Sequence, residues 1–315
     1  MTSTHLAFVF PGQGSQSVGM LAELSELHPI VRETFAEASD GAGVDLWAMS
    51  QGGPEEMLNR TEYTQPALLA AGIAVWRAWQ QQGGPAPALL AGHSLGEYTA
   101  LVAAGALSLK DGAHLVRLRG QLMQDAAPTG VGAMAALLGL DFETVTEVAA
   151  EAAQGEVCDI ANDNAPGQVV VSGNAAAVER ACEIAKREGA SRAIPLTVSA
   201  PFHCRLIASA ADAMRDALAG VEVRAPRVPL VANVTAAPVN APDEIRALLV
   251  QQVTSTVRWR ESVVFMAEQG VSRLVEVGTG KVLSGLTKRI ARQVAATSVG
   301  APEDVAAYAA SAAQA

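Results

Sequence analysis

The sequence predicts an α/β protein in which a small β-α-β-β-α-β unit is inserted into a larger α/β domain. Three observations carry this. Over residues 6–124 short apolar runs alternate with amphipathic stretches, the rhythm of strands and helices sharing one sheet. Between 134 and 198 the rhythm changes to strand, helix, two strands, helix, strand. After 200 the first rhythm resumes.

Residues 6–10, Leu-Ala-Phe-Val-Phe, read as a buried strand that ends in the turn Pro11-Gly-Gln-Gly14. Residues 64–82 read as a helix and 87–92 as a second buried strand. A helix over 94–104 follows, and Ser108 with Asp111 is a capping signature for another helix reaching about Gln124. The middle segment reads as strand 134–138, helix 141–153, strands 156–161 and 168–172, helix 175–188 and strand 192–198. Its two inner strands are joined by the turn-rich Asn162-Asp-Asn-Ala-Pro-Gly167. That order is the split-βαβ, or ferredoxin-like, unit. Beyond it come helix 204–219, strand 229–232, helix 259–269, strand 272–277 and helix 281–292. The expected division is 1–130 with 200–300 as the large catalytic part, 131–199 as the small one, and 301–315 as an alanine-rich tail, frayed or disordered.

The 315 residues, 50% hydrophobic and 17% charged, suffice for a buried core. A formal charge of −10 argues against nucleic acid as a partner. Cys158, Cys182 and Cys204 are too widely spaced for a zinc site or disulfide framework and fit a reducing cytoplasm. No secretory signal is visible, and the longest apolar stretch, 66–76, is too short to span a membrane.

The chemistry centres on Gly92-His-Ser-Leu-Gly96, a G-x-S-x-G sequence between an apolar strand and a helix-forming stretch. Such a turn strains the serine backbone and needs glycines where side chains would collide. It lifts the Ser94 hydroxyl over the sheet edge, and the helix behind offers free N–H groups to an oxyanion. A serine needs a base, and the chain has five histidines: His5, His28, His93, His114 and His203. His93 adjoins the serine, but consecutive side chains in an elbow diverge. His203 lies in the loop Ser199-Ala-Pro-Phe-His203 after a strand, where α/β folds place catalytic groups. No carboxylate stands out as the third member of a triad, which disfavours an ordinary Ser-His-Asp hydrolase. Arg117 and Arg119 both flank the apolar stripe of the 108–124 helix. Either could bind a carboxylate through its planar guanidinium, and periodicity does not choose between them.

Phe10-Pro-Gly-Gln-Gly-Ser-Gln16, Gly92-His-Ser-Leu-Gly-Glu-Tyr98, Arg117-Leu-Arg-Gly120, Phe202-His203 and Gly278-Thr-Gly-Lys281 together resemble the malonyl-CoA:acyl carrier protein transacylase family over about 5–300. The resemblance implies an α/β-hydrolase-like large subdomain with a ferredoxin-like small one. It implies malonyl transfer from coenzyme A to a carrier's phosphopantetheine thiol through an ester on Ser94, with no metal or redox cofactor. By the same resemblance His203 is the acid and base, and Gln13 and the Leu95 N–H line the oxyanion hole. Arg119 holds the malonyl carboxylate, Phe202 limits the size of the acyl group, and the main-chain carbonyl of Gln252 orients His203. Family carriers are acidic, so docking needs a basic patch. Lys281, Lys288, Arg289 and Arg292 supply one in a stretch, 277–302, with no acidic residue. Lys186, Arg187 and Arg192 form a smaller cluster.

Other readings remain at this point. A serine esterase or thioesterase could use the same scaffold, although it would have no need of the arginine. A transacylase subunit of a malonate decarboxylase-type complex would share the chemistry, and a non-catalytic scaffold subunit would leave Ser94, His203 and Arg119 surplus. Gly12-x-Gly14 lacks the third glycine of a dinucleotide turn, and Gly278-Thr-Gly-Lys281 lacks the flanking residues of a P-loop. Both read as tight turns at strand ends.

Overall fold

A computed structural model describes residues 2–128 and 130–312. Its centre is strand β1 (Thr2–Phe10), whose alternation splits two cores. Leu6, Phe8 and Phe10 point into one apolar cluster, and Ala7 and Val9 point into another on the opposite face. A strand buried on both faces needs apolar residues throughout, which is why 6–10 has no polar position.

Four helices follow: α1 (Ala22–Leu27), α2 (Ile30–Ala42), α3 (Leu46–Gly52) and α4 (Glu55–Leu58). Next come α5 (Thr61–Gln81), β2 (Ala86–Gly92), α6 (Gly96–Ala103) and α7 (Leu109–Asp125). The small unit is β3 (Gly132–Leu138), α8 (Phe142–Ala153), β4 (Cys158–Ala165), β5 (Gln168–Asn174), α9 (Ala175–Arg187) and β6 (Arg192–Pro195). A 3-10 turn, Arg205–Ile207, leads to α10 (Ala208–Ala219), β7 (Leu230–Val231), β8 (Pro238–Val239) and α11 (Pro242–Gln252). The chain ends in α12 (Trp259–Glu268), β9 (Arg273–Val277), α13 (Val282–Ile290), β10 (Ala295–Val299) and α14 (Pro302–Ala312).

The large sheet has the order β10-β9-β1-β2-β7-β8, parallel except for the β7/β8 pair. The second sheet has the order β4-β5-β3-β6 and is antiparallel throughout. That is the strand order of a ferredoxin-like unit, so the fold class is the one expected. The small sheet rests on a core of its own, in which Leu137, Val169 and Val171 meet Val145 and Val148 of α8 and Val178 of α9. The small sheet is tied to the segment before α12 where the Asp163 N–H donates to the Val257 carbonyl at 3.0 Å and the Val257 N–H donates back to the Ala161 carbonyl at 2.9 Å.

Several boundaries differ from the sequence reading. Strand β4 runs through the turn-rich segment to Ala165, so only Pro166 and Gly167 turn, with Gly167 at φ 69°. Strand β6 stops at Pro195, short of 198. Of the tail, 302–312 is helix α14, anchored by the buried Val305; 313–315 lie outside the described residues. Because β1, β2 and β9 are parallel neighbours, the loops after Phe10, Gly92 and Val277 emerge at one edge. That edge is where open α/β sheets bind ligands.

Candidate active site

The loop after β2 is a tight elbow, with Ser94 at φ 53° in the left-handed region. Its glycines are sterically required. A Cβ on Gly92 would lie 1.9 Å from the Gly96 carbonyl, and one on Gly96 would lie 2.2 Å from the Phe10 oxygen. Asn233, just past β7, clamps the turn from both sides. Its Oδ1 accepts from Ser94 N at 2.8 Å, and its Nδ2 donates to the Gly92 carbonyl at 2.7 Å. The His93 side chain leaves in another direction and meets Asn164 Oδ1 at 2.8 Å, and burial lowers its pKa.

His203 approaches from the loop between β6 and α10, itself held at φ 58°. It is 3% exposed, and its Nε2 lies 2.7 Å from Ser94 Oγ. Its Nδ1 lies 2.7 Å from the Gln252 carbonyl. A carbonyl can only accept, so Nδ1 carries the hydrogen and Nε2 is the free acceptor facing the serine. Burial, reinforced by the Arg119 charge, lowers the imidazole pKa from 6.5 to about 3. The ring is therefore neutral and basic in form, oriented by a peptide dipole where a triad would use a carboxylate.

Arg119 from α7 is 1% exposed and touches no carboxylate. Its Nη1 donates to Gln65 Oε1 at 2.8 Å, and its Nη2 donates to Ser94 Oγ at 3.1 Å and Gln252 Oε1 at 2.9 Å. Its Nε has no partner, and its guanidinium carbon sits 5.7 Å from the Tyr98 ring centroid. Arg117 turns the other way, donating to the Ala42 carbonyl and lying 5.8 Å from the Tyr63 ring. Packing thus brings Arg119, and not Arg117, to Ser94.

The sequence reading missed the polar shell around this trio. The Gln252 side chain, as well as its carbonyl, is engaged: Nε2 donates to Ser94 O at 3.0 Å and to Glu97 Oε2 at 2.6 Å. Glu97 is a buried carboxylate whose pKa burial raises from 4.5 to about 7. Gln65 could have been flagged as a polar residue inside an apolar helical run. Glu97 stood within a quoted motif, but nothing in one sequence tells that its side chain turns inward.

The other expected residues are placed as follows. Leu95 caps α6, and among the described residues neither its N–H nor that of Gln13 donates to a protein acceptor. The Gln13 side chain turns to Thr61 Oγ1 at 3.2 Å, so any oxyanion contact from Gln13 falls to its backbone. The turn that carries it runs beside the elbow: a Cβ on Gly12 would sit 2.8 Å from the His93 oxygen. Phe202 is buried in the main apolar cluster. The turn at Gly278 packs against Pro11 and Gly72, and Gly280 against Ser15, so both glycine-rich turns line the same edge. Lys281, Lys288 and Arg292 are exposed. Arg289 is engaged internally, donating to Gln168 Oε1 and to the Pro166 carbonyl at 3.0 Å. In the smaller cluster Arg187 is paired with Glu151 and Glu188.

Comparison with known proteins gives a consistent picture. A sequence profile described as "Acyl transferase domain" matches residues 7–308. The malonyl CoA-acyl carrier protein transacylase of Escherichia coli K12 is 54% identical over 304 residues, covering 96% of this chain and 98% of that protein. Its Bacillus subtilis counterpart is 44% identical over 301 residues, covering 95% of each. The crystal structure of the Xanthomonas oryzae enzyme of the same name superposes with a TM-score of 0.97 at 60% identity, covering 99% of both chains. A malonyl-transacylase solved with a type II polyketide acyl carrier protein superposes with a TM-score of 0.96 at 51% identity, covering 98% of this chain and 99% of that one.

Proposed function

The chain belongs to the acyl transferase domain family, and from that premise we propose how it moves a malonyl group from malonyl-CoA to the phosphopantetheine thiol of an acyl carrier protein. Ser94 is the nucleophile and His203 its base. As Oγ attacks the thioester carbonyl, its proton passes to His203 Nε2 across the 2.7 Å contact. The oxyanion is met by the free N–H groups of Leu95 and Gln13, the first at the positive end of α6. His203 then gives its proton to the departing coenzyme A sulfur, leaving a malonyl ester on Ser94. In the second half the carrier's thiol passes its proton to His203, its sulfur attacks the ester, and Ser94 recovers the proton.

Arg119 holds the free carboxylate of the malonyl group. The observation that carries this reading is its Nη2, 3.1 Å from the nucleophilic oxygen. A guanidinium there is too close to serve any part of an acyl chain but its first few atoms, and it matches the three-carbon diacid. The Gln252 carbonyl, 2.7 Å from Nδ1, orients the imidazole in the place where a triad would put a carboxylate. Phe202, the residue before the base and buried in the apolar core, is our candidate for limiting the size of the acyl group. Side chains and backbone supply every step, so the reading calls for no metal or redox cofactor. It also places the chain in the cytoplasm, in keeping with three free cysteines. Among the described residues no helix is long and apolar enough to cross a membrane.

Intact-mass measurement after mixing with malonyl-CoA tests the mechanism. The wild type gains one malonyl group and loses it to added carrier protein, whereas Ser94→Ala gains none. A labelled Ser94→Ala protein would refute the assignment.

A further inference from the structure

Arg119 is buried with no anion touching it, an arrangement normally too costly to persist. The surroundings show how it is balanced. Gln252 Oε1 accepts from Arg119 Nη2 at 2.9 Å, and Gln252 Nε2 donates to Glu97 Oε2 at 2.6 Å. One carboxamide therefore links a buried cation to a buried carboxylate without the two meeting. The remaining titratable groups facing this pair are few. Tyr98, on the same helix as Glu97, has its hydroxyl pushed up to about 12 by burial and stays neutral. His203, from the loop before α10, and His93, from the elbow, are held neutral by burial. Helices α5 and α11 contribute the uncharged Gln65 and Gln252. Among the described residues, Arg119 and Glu97 are the groups there able to carry charge at neutral pH.

We propose that Glu97 is the exchangeable counter-charge of Arg119: ionised while the acyl site is empty, it takes up a proton from solvent when the malonyl carboxylate docks. The inference rests on the reading of Arg119 as the carboxylate site. Two carboxylates and one guanidinium would leave a net negative charge in a water-poor pocket, and protonating the carboxylate that does not touch the guanidinium removes it. Both hydrogen bonds to Glu97 fall on Oε2, from Gln252 Nε2 at 2.6 Å and from Asn233 N at 3.3 Å, so Oε1 takes the proton without breaking either. A burial-raised pKa near 7 means the uptake needs little driving force. Glu97 thus acts through Gln252 as a positioning residue: it balances Arg119 while no carboxylate is bound and gives up its charge when one docks. With an uncharged acetyl group Glu97 would stay ionised and no proton would be taken up.

Titration calorimetry of Ser94→Ala with malonyl-CoA at pH 8, in phosphate and in Tris, counts protons without chemistry. Uptake should exceed that with acetyl-CoA by an amount approaching about one proton per site. The acetyl-CoA arm cancels the nucleotide phosphates. In the loading half-reaction of the otherwise wild-type enzyme, KM for malonyl-CoA should rise by up to about tenfold per pH unit above neutrality. Glu97→Gln, which keeps the shape and the accepting oxygen, should flatten that slope. Equal proton counts for the two thioesters, or an unchanged slope in Glu97→Gln, would overturn the proposal. Should Glu97→Gln fail to fold, the calorimetric count still decides. Failure of the underlying reading looks different: Arg119→Ala would then keep the wild-type preference for malonyl-CoA over acetyl-CoA.

Discussion

Burial and the neighbouring guanidinium both disfavour a charged ring at His203, and together they lower its pKa from 6.5 to about 3. The consequence is a base available far below the ordinary histidine range. At saturating malonyl-CoA, the loading rate should stay level from pH 8 down to about 5, with no midpoint near the ordinary imidazole pKa. A half-loss of rate near 6.5 would show that the ring protonates as if exposed. Stability carries the opposite trend. The unfolded chain binds a proton at His203 below 6.5 and the folded chain only below about 3, so this residue's contribution is lost as pH falls through that window. Glu97 opposes it: its folded pKa near 7 lies above the unfolded 4.5, so its contribution is present below 4.5 and lost as pH rises through 7. Below 4.5 the histidine acts alone of the two.

At the scale of elements, the elbow is a strained turn held by a strand that does not belong to it. Ser94 cannot relax from φ 53° while Asn233 grips both its own N–H and the Gly92 carbonyl. Removing the Asn233 side chain leaves two buried backbone groups unpaired, at a cost of about 1–3 kcal/mol each. Asn233→Ala should therefore fold with a lowered denaturation midpoint and acquire the malonyl label at least about tenfold more slowly, as expected when a nucleophile loses its alignment. Labelling at the wild-type rate would mean the glycines alone hold the turn. How much of this was legible follows from the same elements. The elbow, β1 and the small unit could be read because each is a local pattern: an apolar run, a glycine pair, a change of rhythm. Helix α11 was missed although Pro242, Asp243 and Glu244 mark its start, because its buried residues, Ile245, Leu248, Leu249 and Gln252, make a short stripe. Strand β7 was read, as 229–232, whereas the five residues of β10 were missed because its alanines carry little alternation. Asn233 and the Gln252 side chain were beyond reach for another reason. Each acts across more than a hundred residues of chain, and only the packed sheet brings them to Ser94.

At the scale of the whole molecule, charge becomes the problem to solve. A chain at −10 can attract an acidic carrier, the kind the family resemblance implies, only through a local basic surface. The region 277–302 holds four cations and no acidic residue, but the four are not equivalent. Arg289 is exposed like the other three, but it also reaches across to Pro166 and Gln168 and ties α13 to the small sheet. Lys281 caps the start of α13 beside the turn that packs on Ser15, at the edge where Ser94 opens. Lys288 lies in the last turn, about 10 Å further along the axis. We propose Lys281 and Lys288, with Arg292 beyond, as the docking surface. Lys281→Glu with Lys288→Glu should raise KM for carrier protein severalfold or more at low salt. The first change places an acid at a helix N-terminus, where it is tolerated, so the fold should survive. Near 1 M salt, where the screening length falls to about 3 Å, the difference from wild type should nearly vanish. Loading from malonyl-CoA should suffer less than transfer, because the small thioester does not need the whole surface. A double variant that transfers normally to carrier protein at low salt would leave α13 as ordinary solvated surface and send the search to another face of the cleft.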